Sequence, residues 1–245
     1  MEEFFKYLGK KTGQTLRRGK WIYKSILGSE EEAIQAEYYV GKEITKKIFE
    51  LNRIDTDKNV KELVNKTGSR LTDKVKNSYR KFIFDSIISP DINAFALPGG
   101  FIFVTSSILN LTNYNEDEVA FILGHEIGHV VRWHIFNRTI ASSSLNMISM
   151  VSKPGGLVGS LAVKTINSLL QNGYSRDQEF EADSFGTIIM YAAGYNPEAA
   201  IKVLEKLGSG SSDNNGLFNY FSTHPPIKER IGKVSNILKH KLNKL

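Results

Sequence analysis

From Glu118 to Arg132 the chain sets Val119, Ala120, Ile122, Leu123, Ile127, Val130 and Val131 at helical spacing, a nearly continuous apolar surface, with His125, Glu126 and His129 in its middle. A helix of that composition must be buried on most sides. Two imidazoles and a carboxylate buried with it are costly unless something pairs with them. Asn115 followed by Glu118 gives the segment a capping-box-like start. The fold therefore has to wrap around this helix and supply a partner for its polar centre.

His125-Glu126-Ile127-Gly128-His129 reads as H-E-x-x-H. Residues four apart share a helix face, so the two imidazoles can bind one Zn²⁺ while the carboxylate lies beside the metal's open position. The chemistry this implies is metal-assisted hydrolysis of a peptide bond. The competing reading is a pair of core histidines satisfied by backbone carbonyls, and the apolar surroundings weigh against it. A third ligand is needed. His134 follows His129 by five residues, and Arg132 stands where H-E-x-x-H-x-x-G-x-x-H has glycine. At about 100° per residue, five steps carry His134 roughly 140° around the helix, so it reads as a surface or capping histidine. With no cysteine in the chain, a thiolate ligand is ruled out. A second helix, Arg176 to Tyr191, offers Glu179, Glu181 and Asp183. Glu179 and Asp183 share a face, whereas Glu181 lies about 200° from Glu179 and should be silent toward the metal.

Four motifs together resemble one family. They are His125-Glu126-Ile127-Gly128-His129, Ser175-Arg176 through Glu179-Phe180-Glu181-Ala182-Asp183, Ser222-Thr223-His224-Pro225-Pro226 with Arg230, and Asn93-Ala94-Phe95-Ala96-Leu97-Pro98-Gly99-Gly100. In this order they are similar to the zinc metallopeptidase family of the CAAX prenyl proteases, HtpX and bacterial envelope proteases such as BepA, over roughly residues 30 to 238. The resemblance implies a zinc metalloendopeptidase of the gluzincin type, with one Zn²⁺ held by His125, His129 and Glu179. Glu126 is then the general base, and His224 with Arg230 steadies the developing oxyanion. Asp183 is implied either as a partner that orients a zinc histidine or as a proton donor, and we prefer the first. The resemblance also makes Asn93, Ala94, Phe95 and Ala96 an edge strand that pairs with the substrate backbone. A chaperone-like zinc protein with little turnover is the alternative function, and the presence of Glu126 disfavours it.

The remaining sequence predicts an α+β fold, mainly helical and zincin-like, with a small β-sheet beside the H-E-x-x-H helix. Ser29-Glu30-Glu31-Glu32 opens a helix to about Leu51, Val60 to Asn65 suggests a shorter one, and strands are expected over residues 81–88, 92–97 and 101–105 around a Pro98-Gly99-Gly100 turn. Gly194 should end the second site helix, Asn196-Pro197 should start another through about Leu207, and a last helix carries Arg230. Residues 208–216 have linker composition, and the apolar stretches 145–151 and 157–170 are each too short to cross a bilayer.

We expect one metallopeptidase domain over residues 29–245 behind a basic arm, residues 1–28. Of the net charge of +6, much sits in residues 1–24, where seven Lys and Arg face two Glu. Phe4, Phe5, Tyr7, Trp21 and Tyr23 lie among those charges. A solvated arm is the simpler expectation, peripheral contact with anionic lipid the alternative, and nucleic-acid binding is disfavoured because no recognition motif accompanies the charge. Neither a signal peptide nor a membrane span is read in the chain as given, while the resemblance favours the cell envelope, the periplasm or a membrane-associated site. Protein or peptide substrates are expected, unfolded or misassembled envelope proteins first among them.

Overall fold

A computed structural model describes residues 29–135, 137 and 138, 173–209 and 227–240. The basic arm, the apolar stretches within 139–172 and His224 lie outside the described residues. In chain order the elements are α1 (Glu30–Leu51), β1 (Arg53–Ile54), α2 (Lys58–Thr72), β2 (Ile83–Ile88), β3 (Ala94–Leu97), a 3-10 turn (Pro98–Gly100) and β4 (Phe101–Thr105). There follow α3 (Ser106–Leu111), α4 (Glu116–Val131), α5 (Arg176–Ala192), α6 (Ala199–Ser209) and α7 (Ile227–His240). The fold is α+β and mainly helical, with one small sheet beside α4, as the sequence pattern predicts.

The sheet has the order β1-β2-β4-β3, with β2 and β4 parallel and the two outer pairs antiparallel. Alternation along the strands divides its two faces. Phe101 and Phe103 of β4 join Leu97 and Ile87 under Ile44 and Ile48 of α1. Ile102 and Val104, with Ala94 and Ala96 of β3, face the main core under α2 and α4. Gly99 (φ 79°) and Gly100 (φ 87°) turn β3 into β4 through backbone conformations that favour glycine.

Two helices differ from the sequence expectation. α2 runs to Thr72 instead of stopping near Asn65, because Gly68 is no breaker here. It lies against β2 so closely that an added Cβ would fall 2.5 Å from the Phe84 ring, and glycine is what lets helix and sheet meet. At the start of α4 only half of the capping box forms. The Asn115 side chain accepts from the Glu118 backbone N–H at 3.1 Å, but the Glu118 carboxylate takes Lys206 of α6 at 2.6 Å instead of reaching back. By contrast, Ser29 and Glu32 make the full reciprocal box at the start of α1.

α4 is the centre of the molecule. Val119, Ala120, Leu123, Ile127 and Val130 are fully buried, and α2, α5, α6 and β3 all pack on it. Each large apolar side chain so enclosed contributes about 1.5–3 kcal/mol by leaving water. That surplus is what allows the same helix to carry buried polar groups.

A candidate metal centre between two helices

Among the described residues α4 and α5 make the most extensive helix pair, and small residues set their separation. A Cβ on Gly124 would lie 3.1 Å from Gly186 Cα, one on Gly128 3.1 Å from Ala182 Cα, and one on Gly186 2.8 Å from the His125 backbone nitrogen. Ordinary side chains at these positions would hold the helices apart. With them absent, side chains flanking the seam from opposite helices reach each other.

The groups that meet are His125, His129 and Glu179, all buried. His125 Nε2 is 3.1 Å from His129 Nε2, Glu179 Oε1 is 3.3 Å from His129 Nε2, and Glu179 Oε2 is 3.7 Å from His125 Nε2. A tetrahedral ion with ligands at about 2.0–2.2 Å requires donors roughly 3.3–3.6 Å apart. The three separations straddle that spacing. Moreover, both Nδ1 atoms already have partners, so the two Nε2 atoms are left to converge on one point beside a carboxylate. The residues fit a divalent metal.

Behind His125 the support is ionic. Its Nδ1–H donates to Asp183 Oδ1 at 2.9 Å, and Arg230 clamps the same carboxylate with Nε on Oδ2 at 2.8 Å and Nη2 on Oδ1 at 2.7 Å. Arg230 Nη1 also lies 3.1 Å from Glu179 Oε2. Burial by itself would raise the Asp183 carboxyl, but the Arg230 guanidinium and the His125 hydrogen bond reverse the balance and hold it below its ordinary value. Burial likewise pulls the His125 ring down, and the Asp183 hydrogen bond with the Glu179 charge outweighs it and raises the ring overall.

Behind His129 the sequence expectation fails. His134, read as a surface or capping residue, is buried, and its Nδ1 sits 3.0 Å from His129 Nδ1. The angular argument extrapolated the helix past its end. α4 stops at Val131, Arg132 caps it, and Trp133 takes a left-handed conformation (φ 61°) that turns the chain back toward the site. His134 Nε2 in turn lies 3.0 Å from Glu181 Oε2. Glu181 does point away from the ligand atoms as expected, yet it is tied to the site through His134. Burial pulls the His134 ring below its ordinary value in spite of that carboxylate.

Tyr174, missed by the sequence reading, stacks on the His129 ring with centroids 3.7 Å apart, while Arg138 lies over its other side at 4.0 Å from the ring centre. Burial pushes its hydroxyl well above the usual phenol range. Its one sequence signal is its place next to the Ser175 cap, where an apolar residue often pins the start of a helix. Glu126 is buried on α4 next to His125.

Asn93 is held by Thr105, which donates through its backbone N–H to Asn93 O at 3.0 Å and accepts from the Asn93 N–H at 3.1 Å. Ala94 and Ala96 lie in the core toward α4, and Phe95 stacks on Phe103 across the other face. Among the described residues β3 pairs on one side only, with β4.

Comparison with known proteins gives the chain its family. The chain is 38% identical over 143 residues to the mitochondrial metalloendopeptidase OMA1 of Arabidopsis thaliana, covering 58% of this chain and 28% of that protein. It is 34% identical over 163 residues to the OMA1 of Saccharomyces cerevisiae, covering 63% and 45%, and 28% identical over 187 residues to the beta-barrel assembly-enhancing protease of Yersinia pestis, covering 71% and 38%. The chain thus spans less than half the length of these three relatives. The profile of Peptidase family M48 matches residues 58–238, a stretch that runs from α2 into α7 and contains every residue of the metal centre, and the chain belongs to that family.

Proposed function

We propose that the protein is a zinc-dependent metalloendopeptidase. One observation carries this reading: His125 Nε2, His129 Nε2 and the Glu179 carboxylate converge at the spacing of a single tetrahedral ion. They would hold one Zn²⁺ per chain. When bound, zinc supplies Lewis acidity, polarising a carbonyl and making water a stronger acid.

The chain's own residues do the rest. Glu126 takes the proton from the attacking water and passes it to the leaving amine. Asp183 keeps the His125 proton on Nδ1, which leaves Nε2 as the ligand atom, and that geometry supports an orienting role over proton donation. Arg230 has its nitrogens on Asp183 and Glu179 and so acts as a brace for the ligands. We favour this bracing role over the oxyanion contact expected of Arg230 in the sequence. His224 keeps the oxyanion role that the family resemblance implies.

The side of β3 that carries no strand among the described residues gives a place for substrate. An extended chain can add there as a strand, bonding through main-chain groups with little regard to its side chains. Ala94 and Ala96 suit that position because small residues keep the strand close to α4. Substrates are proteins, with unfolded or misassembled envelope proteins preferred, in keeping with relatives named for mitochondria and for β-barrel assembly. Work at a membrane or envelope follows from the family resemblance. Among the described residues no helix is long and apolar enough to cross a membrane.

The test is Glu126→Gln in the purified protein. Zinc content should stay at one per chain while cleavage of casein falls by at least about 10²-fold, the low end of what a positioned general base supplies. Unchanged cleavage would remove Glu126 from the mechanism, and a wild-type protein that cleaves no polypeptide would overturn the reading.

A further inference from the structure

His129 can give its Nε2 lone pair to a metal only while its ring proton sits on Nδ1, and a buried N–H needs an acceptor. The atom in place is His134 Nδ1, 3.0 Å away. His134 must then carry its own proton on Nε2, and that N–H points at Glu181 Oε2, again at 3.0 Å. Polarity along this chain is fixed by its end. Glu181 as a carboxylate only accepts, which puts the His134 proton on Nε2 and frees Nδ1 to accept from His129. With the His134 proton on Nδ1 instead, two N–H groups would face each other across the 3.0 Å gap, or the His129 proton would move to the atom the metal needs.

The surroundings hold His134 to this task. The left-handed turn at Trp133 is an unlikely conformation for so bulky a side chain and is stabilised from outside. The Arg80 guanidinium lies over the Trp133 ring at 4.4 Å, and Arg80 is itself paired with Glu37 of α1 at 2.9 Å. Tyr174, stacked on His129, keeps that ring from rotating away. Glu181, at the far end, has a side chain 58% exposed, so the chain of hydrogen bonds runs from the buried metal centre to the protein surface.

We propose that His134 and Glu181 are positioning residues that fix the tautomer and aim of His129 and thereby set how tightly the site holds its metal. The proposal rests on the reading of His125, His129 and Glu179 as zinc ligands. It assigns to an exposed carboxylate, off the ligand face of α5, a part in metal binding that helix geometry had denied it.

The experiment measures zinc affinity of the full chain by competition with a chelator at fixed pH, beside thermal unfolding of the metal-free proteins. His134→Ala should weaken zinc binding by about 10- to 100-fold and Glu181→Ala by about 10-fold, the range for removing a partner of a ligating histidine. His134→Asn is the rescue, because its amide oxygen can stand where Nδ1 stood, and it should bind more tightly than His134→Ala. Cobalt(II) in place of zinc adds a spectroscopic reading, with altered visible absorption in His134→Ala and Glu181→Ala. Glu181→Ala, changing an exposed side chain, should leave metal-free unfolding unchanged, so it decides the matter even if His134→Ala does not fold. Wild-type affinity in Glu181→Ala would overturn the role of Glu181, and wild-type affinity in both alanine variants would overturn the proposal. A wild-type protein that binds no zinc would instead overturn the ligand assignment.

Discussion

Among the described residues two arginines are buried against carboxylates, and they are used differently. Arg230 grips Asp183 through Nε and Nη2, its Nη1 lies on Glu179, and the Asp183 carboxyl is held below its ordinary value. Arg80 makes one contact with Glu37, at 2.9 Å, and the Gly99 backbone N–H also favours the Glu37 carboxylate, while among the described residues Arg80 Nη2 is buried with no hydrogen-bond partner. There burial outweighs Arg80, and the Glu37 carboxyl is raised. The comparison shows that a buried ion pair stabilises to the extent that its hydrogen bonds are completed. At the metal centre they are completed, and the charge is kept. Beside α1 they are not, and the carboxyl is biased toward its neutral form.

The largest expected effect comes from breaking the completed pair. Arg230→Met strands two buried carboxylates, and urea unfolding of the metal-free protein should show a loss of about 3–5 kcal/mol. Arg80→Met should cost less, about 1–3 kcal/mol by the same measurement, because Glu37 can take a proton and become neutral. Equal losses would mean that completion of the hydrogen bonds is not what separates the two sites.

The smallest effect concerns pH and has a definite sign. A carboxyl whose folded pKa is raised binds more protons in the native state than in the unfolded chain, so its contribution makes stability fall as pH rises from the ordinary 4.5 of Glu37 through its folded value. Glu37→Gln removes that contribution. The stability of Glu37→Gln relative to wild type should therefore improve as pH rises through this window, read by urea unfolding at several pH values. A difference that is flat with pH would show that Glu37 is as readily ionised as a carboxyl in water. For Asp183 the sign is opposite: its contribution is present above the ordinary carboxylate range and is lost as pH falls through the depressed folded value.

What was legible in the sequence is what periodicity and caps encode. The apolar run of α4, the Ser29 box of α1, and the Pro98-Gly99-Gly100 turn between β3 and β4 are local patterns, and they folded as read. His125, His129 and Glu179 were legible because four-residue spacing and the ordered motifs survive as one-dimensional signals. His134 was not. Its position depends on where α4 ends and on a left-handed turn at Trp133, a residue that rarely takes one. Tyr174 and the Arg80–Glu37 pair depend on segments far apart in the chain, and no spacing rule connects them. The second half of α2, beyond Asn65, was missed for a related reason, since the place of Gly68 in it is fixed by the Phe84 ring across the interface.

The small-residue seam between α4 and α5 has a consequence for alignment. Gly124 meets Gly186 and Gly128 meets Ala182, each pair one helical turn from the next. Sliding α5 by one turn in one direction would set Gly128 against Gly186 but bring Met190 onto Gly124. Sliding it the other way would set Gly124 against Ala182 but bring Gln178 onto Gly128. Either shift drives a long side chain into a gap where a lone methyl already comes within about 3 Å of backbone. Intermediate positions lose the fit of ridges and grooves altogether. The two helices thus have one seating, and since His125, His129, Glu179 and Asp183 ride on them, the metal centre is assembled as a whole or not at all.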